Sequence, residues 1–118
     1  MTPSQDLGIR LVADFPALTP ILAAHRADQD GQTLPYLFMA DVARWSERTL
    51  AADPETVGNV VDWLEREFMV AAAAEKDLIG LGFVEAISFP PDGAVLLLRL
   101  GPELTQVAGE LGLLPATD

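Results

Sequence analysis

The fold class turns on one stretch, Leu78-Ile-Gly-Leu-Gly-Phe-Val-Glu-Ala-Ile-Ser-Phe-Pro-Pro-Asp-Gly-Ala-Val-Leu-Leu-Leu-Arg-Leu100. Two apolar runs flank Pro90-Pro-Asp-Gly93, a firm break by its turn chemistry. If both runs are strands, that break closes a small hairpin and the domain is α+β. If both are helices, the domain is all-α. Gly80, Gly82 and the β-branched Ile79 and Val84 suit a strand. The acidic start at Glu75–Asp77 and the helical neighbours favour a buried helix ending near Ser88. Ala94–Leu100 is too short for periodicity to assign. The reading adopted is an all-α, compact single-domain bundle of five to seven helices over residues 1–118. The alternative is α+β with one small hairpin in residues 78–100, which would need a helix to pack against.

Outward from this stretch, the helix signals are clearer. Asp53-Pro54-Glu55 supplies an N-cap, a first-position proline and an early acid. Val57, Val60, Val61, Leu64, Phe68, Ala71 and Ala72 then form one stripe, with Glu55, Asn59, Asp62 and Arg66 opposite. A second helix begins after Thr33, with Pro35 in its first turn. Its apolar residues cover two sides, the mark of a central helix. Thr19 as N-cap and Pro20 start another, which runs to about Asp28 and stops at Asp28-Gln-Asp-Gly31. Residues 1–6 read as frayed. Asp6 caps a short helix through Leu7, Ile9, Leu11 and Val12 that Phe15-Pro16 breaks. Gly101-Pro102-Glu103 opens a last helix that ends at Gly112.

Composition narrows the function. The 118 residues are half hydrophobic and include no cysteine, which excludes disulfides and thiolate metal sites. Eighteen acids against seven bases give a net charge of −11. Phosphate backbones need clustered cations. Here Lys76 and six scattered arginines are all there is. Nucleic acid and anionic membranes should be repelled, and a basic protein partner is the converse. Acidity for solubility alone is the competing reading. Met1–Asp6 has neither the basic region nor the apolar core of a signal peptide. No apolar run approaches the ~20 residues of a membrane helix. A cytoplasmic protein is expected. Seventeen alanines and the excess of arginine over lysine suggest a GC-rich bacterial genome.

Candidate chemistry is sparse. His25, the only histidine, lies near Asp28 in the last turn of its helix, where a cation is favoured. Ser4, Ser46 and Ser88 lack the setting of a nucleophile. Asp28 and Asp30 before Gly31 resemble a calcium loop, but the required glutamate position is Leu37. Asp62, Glu65 and Glu67 lack the Glu-x-x-His arrangement of di-iron bundles. Where a glycine-rich phosphate loop would place its third glycine, this chain has Glu85. Glu85 itself is either one exposed position or a buried pair with Arg99 or Arg44. Trp63 falls beside the core stripe, flanked by acids. It is either an interface anchor or covered by a neighbouring helix. No catalytic, cofactor or metal residues are assigned, and no enzyme activity is expected.

Phe15-Pro-Ala-Leu18, Leu34-Pro-Tyr-Leu-Phe-Met-Ala-Asp-Val-Ala43, the Val57–Phe68 helix, Leu78–Ala86 and Leu100-Gly-Pro-Glu-Leu104 together resemble a family of small, acidic, helical bacterial proteins of unknown function. Its members look like immunity proteins of polymorphic toxin systems. The resemblance covers about Phe15 to Leu111 and rests on packing motifs. It implies an all-helical fold without enzyme activity and transfers no binding residues.

Two functions follow as expectations. The first is an immunity protein that binds a basic toxin domain and occludes it. Its contacts would come from Asp28 and Asp30 in the loop and from Glu55, Asp62, Trp63 and Glu67 on the helix after Asp53. The second is a non-enzymatic adaptor or structural domain, with a homodimer formed through surplus apolar surface on the third helix or the C-terminal apolar runs.

Overall fold

A computed structural model describes residues 3–114, and the side chains from residue 7 onward. Helix α1 spans Pro3–Asp14. It begins inside the segment expected to fray, so Asp6 lies within the helix rather than at its cap. The side chain of Asp6 and residues 1–2 lie outside what is described. Phe15, held extended (φ −130°, ψ 85°) before Pro16, ends α1 as expected. A 3-10 turn, Pro16–Leu18, follows and leads directly into α2, Thr19–Asp28. The start of α2 differs from expectation. Leu18 is already right-handed (φ −86°, ψ −6°), so it takes the cap position, and Thr19 is the first helical residue with no side-chain cap.

Helix α2 closes on a left-handed residue. Asp30 has φ 54°, and the Gly31 N–H donates to the Arg26 carbonyl at 2.7 Å. This bond reaches back five residues, as in a Schellman ending, with aspartate where glycine is usual. Helix α3, Pro35–Thr49, is central as expected. It buries Phe38, Met39, Val42, Ala43, Trp45 and Ser46, and α1, α2 and α4 all pack on it. Helix α4, Pro54–Val70, starts as its sequence requires: Asp53 accepts the Thr56 N–H at 3.2 Å. Val57, Val60, Val61 and Leu64 are buried. The stripe stops short of expectation, because Ala71 is extended and Ala72 is exposed.

The deciding stretch is helical. Helix α5, Ala73–Asp77, widens into a π-helical segment, Leu78–Val84, where the Glu85 N–H donates to the Gly80 carbonyl at 2.9 Å. Its large buried residues pair five apart, Leu78 with Phe83 and Ile79 with Val84. That spacing matches the i→i+5 bonding of a π turn. Gly82 permits the close approach to α3, since a Cβ there would lie 2.9 Å from the Met39 Cβ. After the turn containing the cis Pro90–Pro91 bond comes α6, Ala94–Arg99, which buries Leu96 and Leu97. Helix α7, Pro102–Glu110, ends where Gly112 (φ 79°) lets the Leu113 N–H reach the Ala108 carbonyl at 2.9 Å. No strand forms among the described residues. The architecture is therefore an all-α bundle, with seven α-helices among the described residues, around one hydrophobic core. Among the described residues no single helix is long and apolar enough to cross a membrane.

Candidate functional site

The ionisable side chains with the most chemical potential are turned to structural use. His25 is buried beneath the loop joining α2 to α3. Its Nε2 accepts the Leu34 backbone N–H at 3.0 Å, so the ring proton sits on Nδ1, which donates to Asp41 Oδ2 at 3.0 Å. Asp41 Oδ1 in turn accepts from Arg44 at 2.6 Å, and the imidazole meets the Phe38 ring edge-on. Both ring nitrogens are thus committed, and no lone pair is left to take a proton from a substrate. The expected partner at helical spacing, Asp28, is not the one found. Asp41, sixteen residues away, replaces it. A cleft of about 160 Å³ beside His25 is lined by Asp28, Asp41, Arg44 and Arg48, so its charges are mixed.

Three acids tie distant elements together. Glu65, buried on α4, accepts the Glu103 N–H at 2.8 Å and the Leu104 N–H at 3.0 Å, closing the first turn of α7. Glu47 on α3 accepts both the backbone N–H and the hydroxyl of Ser88, at 2.6 and 2.9 Å. Asp14, the last residue of α1, accepts the Trp63 indole N–H at 2.7 Å. Sequence spacing contains one signal for Glu65. It follows Val57 by eight residues and Val61 by four, on the buried side of α4, and the Gly101 that precedes α7 has no side chain to cap with. Glu47 and Asp14 carry no comparable signal.

The six residues expected at a partner interface fall into different settings. Asp28, Asp30 and Glu55 are exposed. Asp62 is half-exposed and grips Arg99 of α6 through two hydrogen bonds of 3.0 and 3.1 Å. That hydrogen bond raises the Arg99 pKa above its already high value, so the guanidinium stays charged. Gly58 makes room for it, since a Cβ there would lie 2.6 Å from the guanidinium. Glu67 pairs with Arg10 of α1, which also reaches Glu75 at 3.2 Å. Trp63 is covered. Only 8% of it is exposed, α1 lies over it, and the Arg10 guanidinium sits 5.8 Å from its ring centre. Of the six, three are thus exposed, two are held in ion pairs and one is covered. Glu85 is exposed, and Arg99 and Arg44 are engaged by Asp62 and Asp41 instead.

The surface around α6 belongs to the C-terminal apolar runs, one of the two seams named above for a homodimer. Phe89, Val95 and Leu98 are exposed there. A cleft of about 420 Å³ runs along one side of α6, with Leu50, Ala51, Pro54, Val95 and Leu96 as its apolar lining and Glu47 and Asp92 as its acids. A second cleft, of about 210 Å³, lies against Pro90, Ala94, Leu97, Leu98 and Leu114. Among the described residues no three His, Asp or Glu side chains gather as a metal site. No protein-family model, curated protein or solved structure matches the chain.

Proposed function

We propose that this chain is a non-catalytic binding protein, an immunity protein that neutralises a cognate bacterial toxin domain in the cytoplasm by occluding it. The observation that carries the reading is the state of the carboxylates. Asp28, Asp30, Glu55, Asp77, Glu85 and Asp92 are exposed and have no ion-pair partner among the described residues. With a net charge of −11 they set up a field that speeds capture of a basic domain and repels nucleic acid. The engagement of both His25 nitrogens supports a role without chemistry of its own.

The test is co-expression with the C-terminal domain of the protein encoded next to it. Cell survival and a co-purifying complex whose affinity falls with salt are the expected results. Cell death without a complex rejects this pairing. The second reading, an adaptor that forms a homodimer, is favoured by the exposed Phe89, Val95 and Leu98. Sedimentation of the purified chain separates the two, because a tight dimer in isolation supports the adaptor.

A further inference from the structure

Helix α6 presents an unusual surface for so acidic a chain. Leu98 is 86% exposed, and Phe89 and Val95 are each 66% exposed. Single exposed apolar residues are ordinary, whereas grouped ones mark interfaces. Here three fall within ten positions, and clefts of about 420 and 210 Å³ flank the same helix. The face is grooved rather than flat. Its border is acidic: Asp92 and Glu47 line the larger cleft, and the exposed Asp53 and Glu55 flank Pro54, which lines it too. Among the described residues no cation lines either cleft. The α6 arginine, Arg99, is held by Asp62.

We propose that the α6 face is the docking surface for a cationic amphipathic helix of a protein partner. The inference rests on the binding role proposed above and names where the partner sits and what it presents. The apolar stripe of such a helix would lie along Val95 and Leu98 and fill the clefts, and its lysines and arginines would meet Asp92 and Glu55. A second copy of this chain fits worse. A two-fold interface places the same patch opposite itself, so Asp92 and Glu55 would face acids, and each copy carries −11. Anionic lipid is repelled by the same charge.

The probe is a leucine/lysine peptide patterned as an amphipathic helix, titrated into the full chain and followed by amide chemical shifts. Saturable binding is expected, with shifts concentrated in residues 47–54 and 89–98. A scrambled peptide of the same composition and a leucine/glutamate peptide should fail to reproduce it. Leu98→Glu, at an exposed site, should leave the melting curve unchanged and weaken binding by at least about tenfold. The pair Asp92→Lys and Glu55→Lys should weaken binding and flatten its salt dependence. Shifts spread over all acids, a Leu98→Glu variant that binds as well as the parent, or a dimer of the chain alone that Leu98→Glu dissolves would each overturn the proposal. The survival assay separates this surface from the neutralising role. Rescue by parent and Leu98→Glu alike rejects the surface and keeps the role. Peptide capture on this face, with no rescue by the parent, keeps the surface and rejects the role.

Discussion

The Glu65 carboxylate, two-thirds of the way along α4, caps a helix that begins 37 residues later: its two oxygens take the N–H groups of Glu103 and Leu104. The first turn of any helix has backbone donors without intrahelical partners. Gly101, at the cap position of α7, offers no side chain, and α4 supplies the acceptor instead. A carboxylate there also faces the positive end of the α7 dipole. Gly101 serves the contact by its smallness, because a Cβ would lie 2.4 Å from Glu65 Oε1.

Removing this cap is expected to destabilise the fold. Glu65→Ala should cost about 1–2 kcal/mol, and Glu65→Gln less, since the amide keeps one acceptor. Urea midpoints measure both. Gly101→Ala should also destabilise, and less so in the Glu65→Ala background, where the clash is gone. Additive losses in the double variant would show that the two residues do not act together.

Trp63 is expected to report on folding rather than on binding. Trp63→Ala removes a large covered side chain and should cost about 3–5 kcal/mol. Trp63→Phe keeps most of the packing and loses only the bond to Asp14. Asp14→Ala strands the indole N–H and should cost about 1 kcal/mol. Denaturation curves for the three variants rank them. If Trp63→Ala retained full stability while partner affinity fell, Trp63 would belong at the interface.

The imidazole of His25 should carry its proton on Nδ1, as nitrogen shifts and couplings of the labelled ring will show. His25→Ala removes the acceptor for the Leu34 N–H. Hydrogen exchange at Leu34 should then accelerate, and stability should fall by about 1–3 kcal/mol. Protection of Leu34 that survives the substitution would rule out His25 as the acceptor that holds this loop.

Contact between the π segment and α3 is expected to tolerate no added carbon. Gly82→Ala sets a methyl 2.9 Å from the Met39 Cβ and should cost about 1–3 kcal/mol by overpacking. Gly112→Ala, at φ 79°, should cost about 1 kcal/mol through backbone strain alone. Thermal unfolding distinguishes these from Gly109→Ala inside α7, where the added carbon meets open space and better helix propensity should raise stability by up to about 1 kcal/mol.

What the sequence made legible were the features that depend on neighbours in the chain. Asp53-Pro54-Glu55 announces α4, and Gly112 announces the end of α7, because caps are local chemistry. Thr19 misled by one residue, since the preceding 3-10 turn already held Leu18 in a helical conformation. Residues 78–84 resisted assignment because Gly80, Gly82, Ile79 and Val84 suit a strand, while the large buried residues pair five apart, the spacing of a π turn. The polar ties were least legible. Asp14 with Trp63, Glu47 with Ser88 and Glu65 with Leu104 join residues 39 to 49 apart, and residue type alone does not name such partners. Reading Trp63 as an anchor or as covered was undecidable for the same reason, since its cover comes from α1.

The borrowed cap gives the chain an order of assembly. A peptide of nine helical residues is too short to hold itself together in water, so α7 exists only while α4 stands beneath it. During synthesis the Glu65 carboxylate must stay hydrated until the first turn of α7 emerges and brings its two amide donors. Helix α7 is thus a latch, whose first turn closes on a side chain that α4 already holds in place.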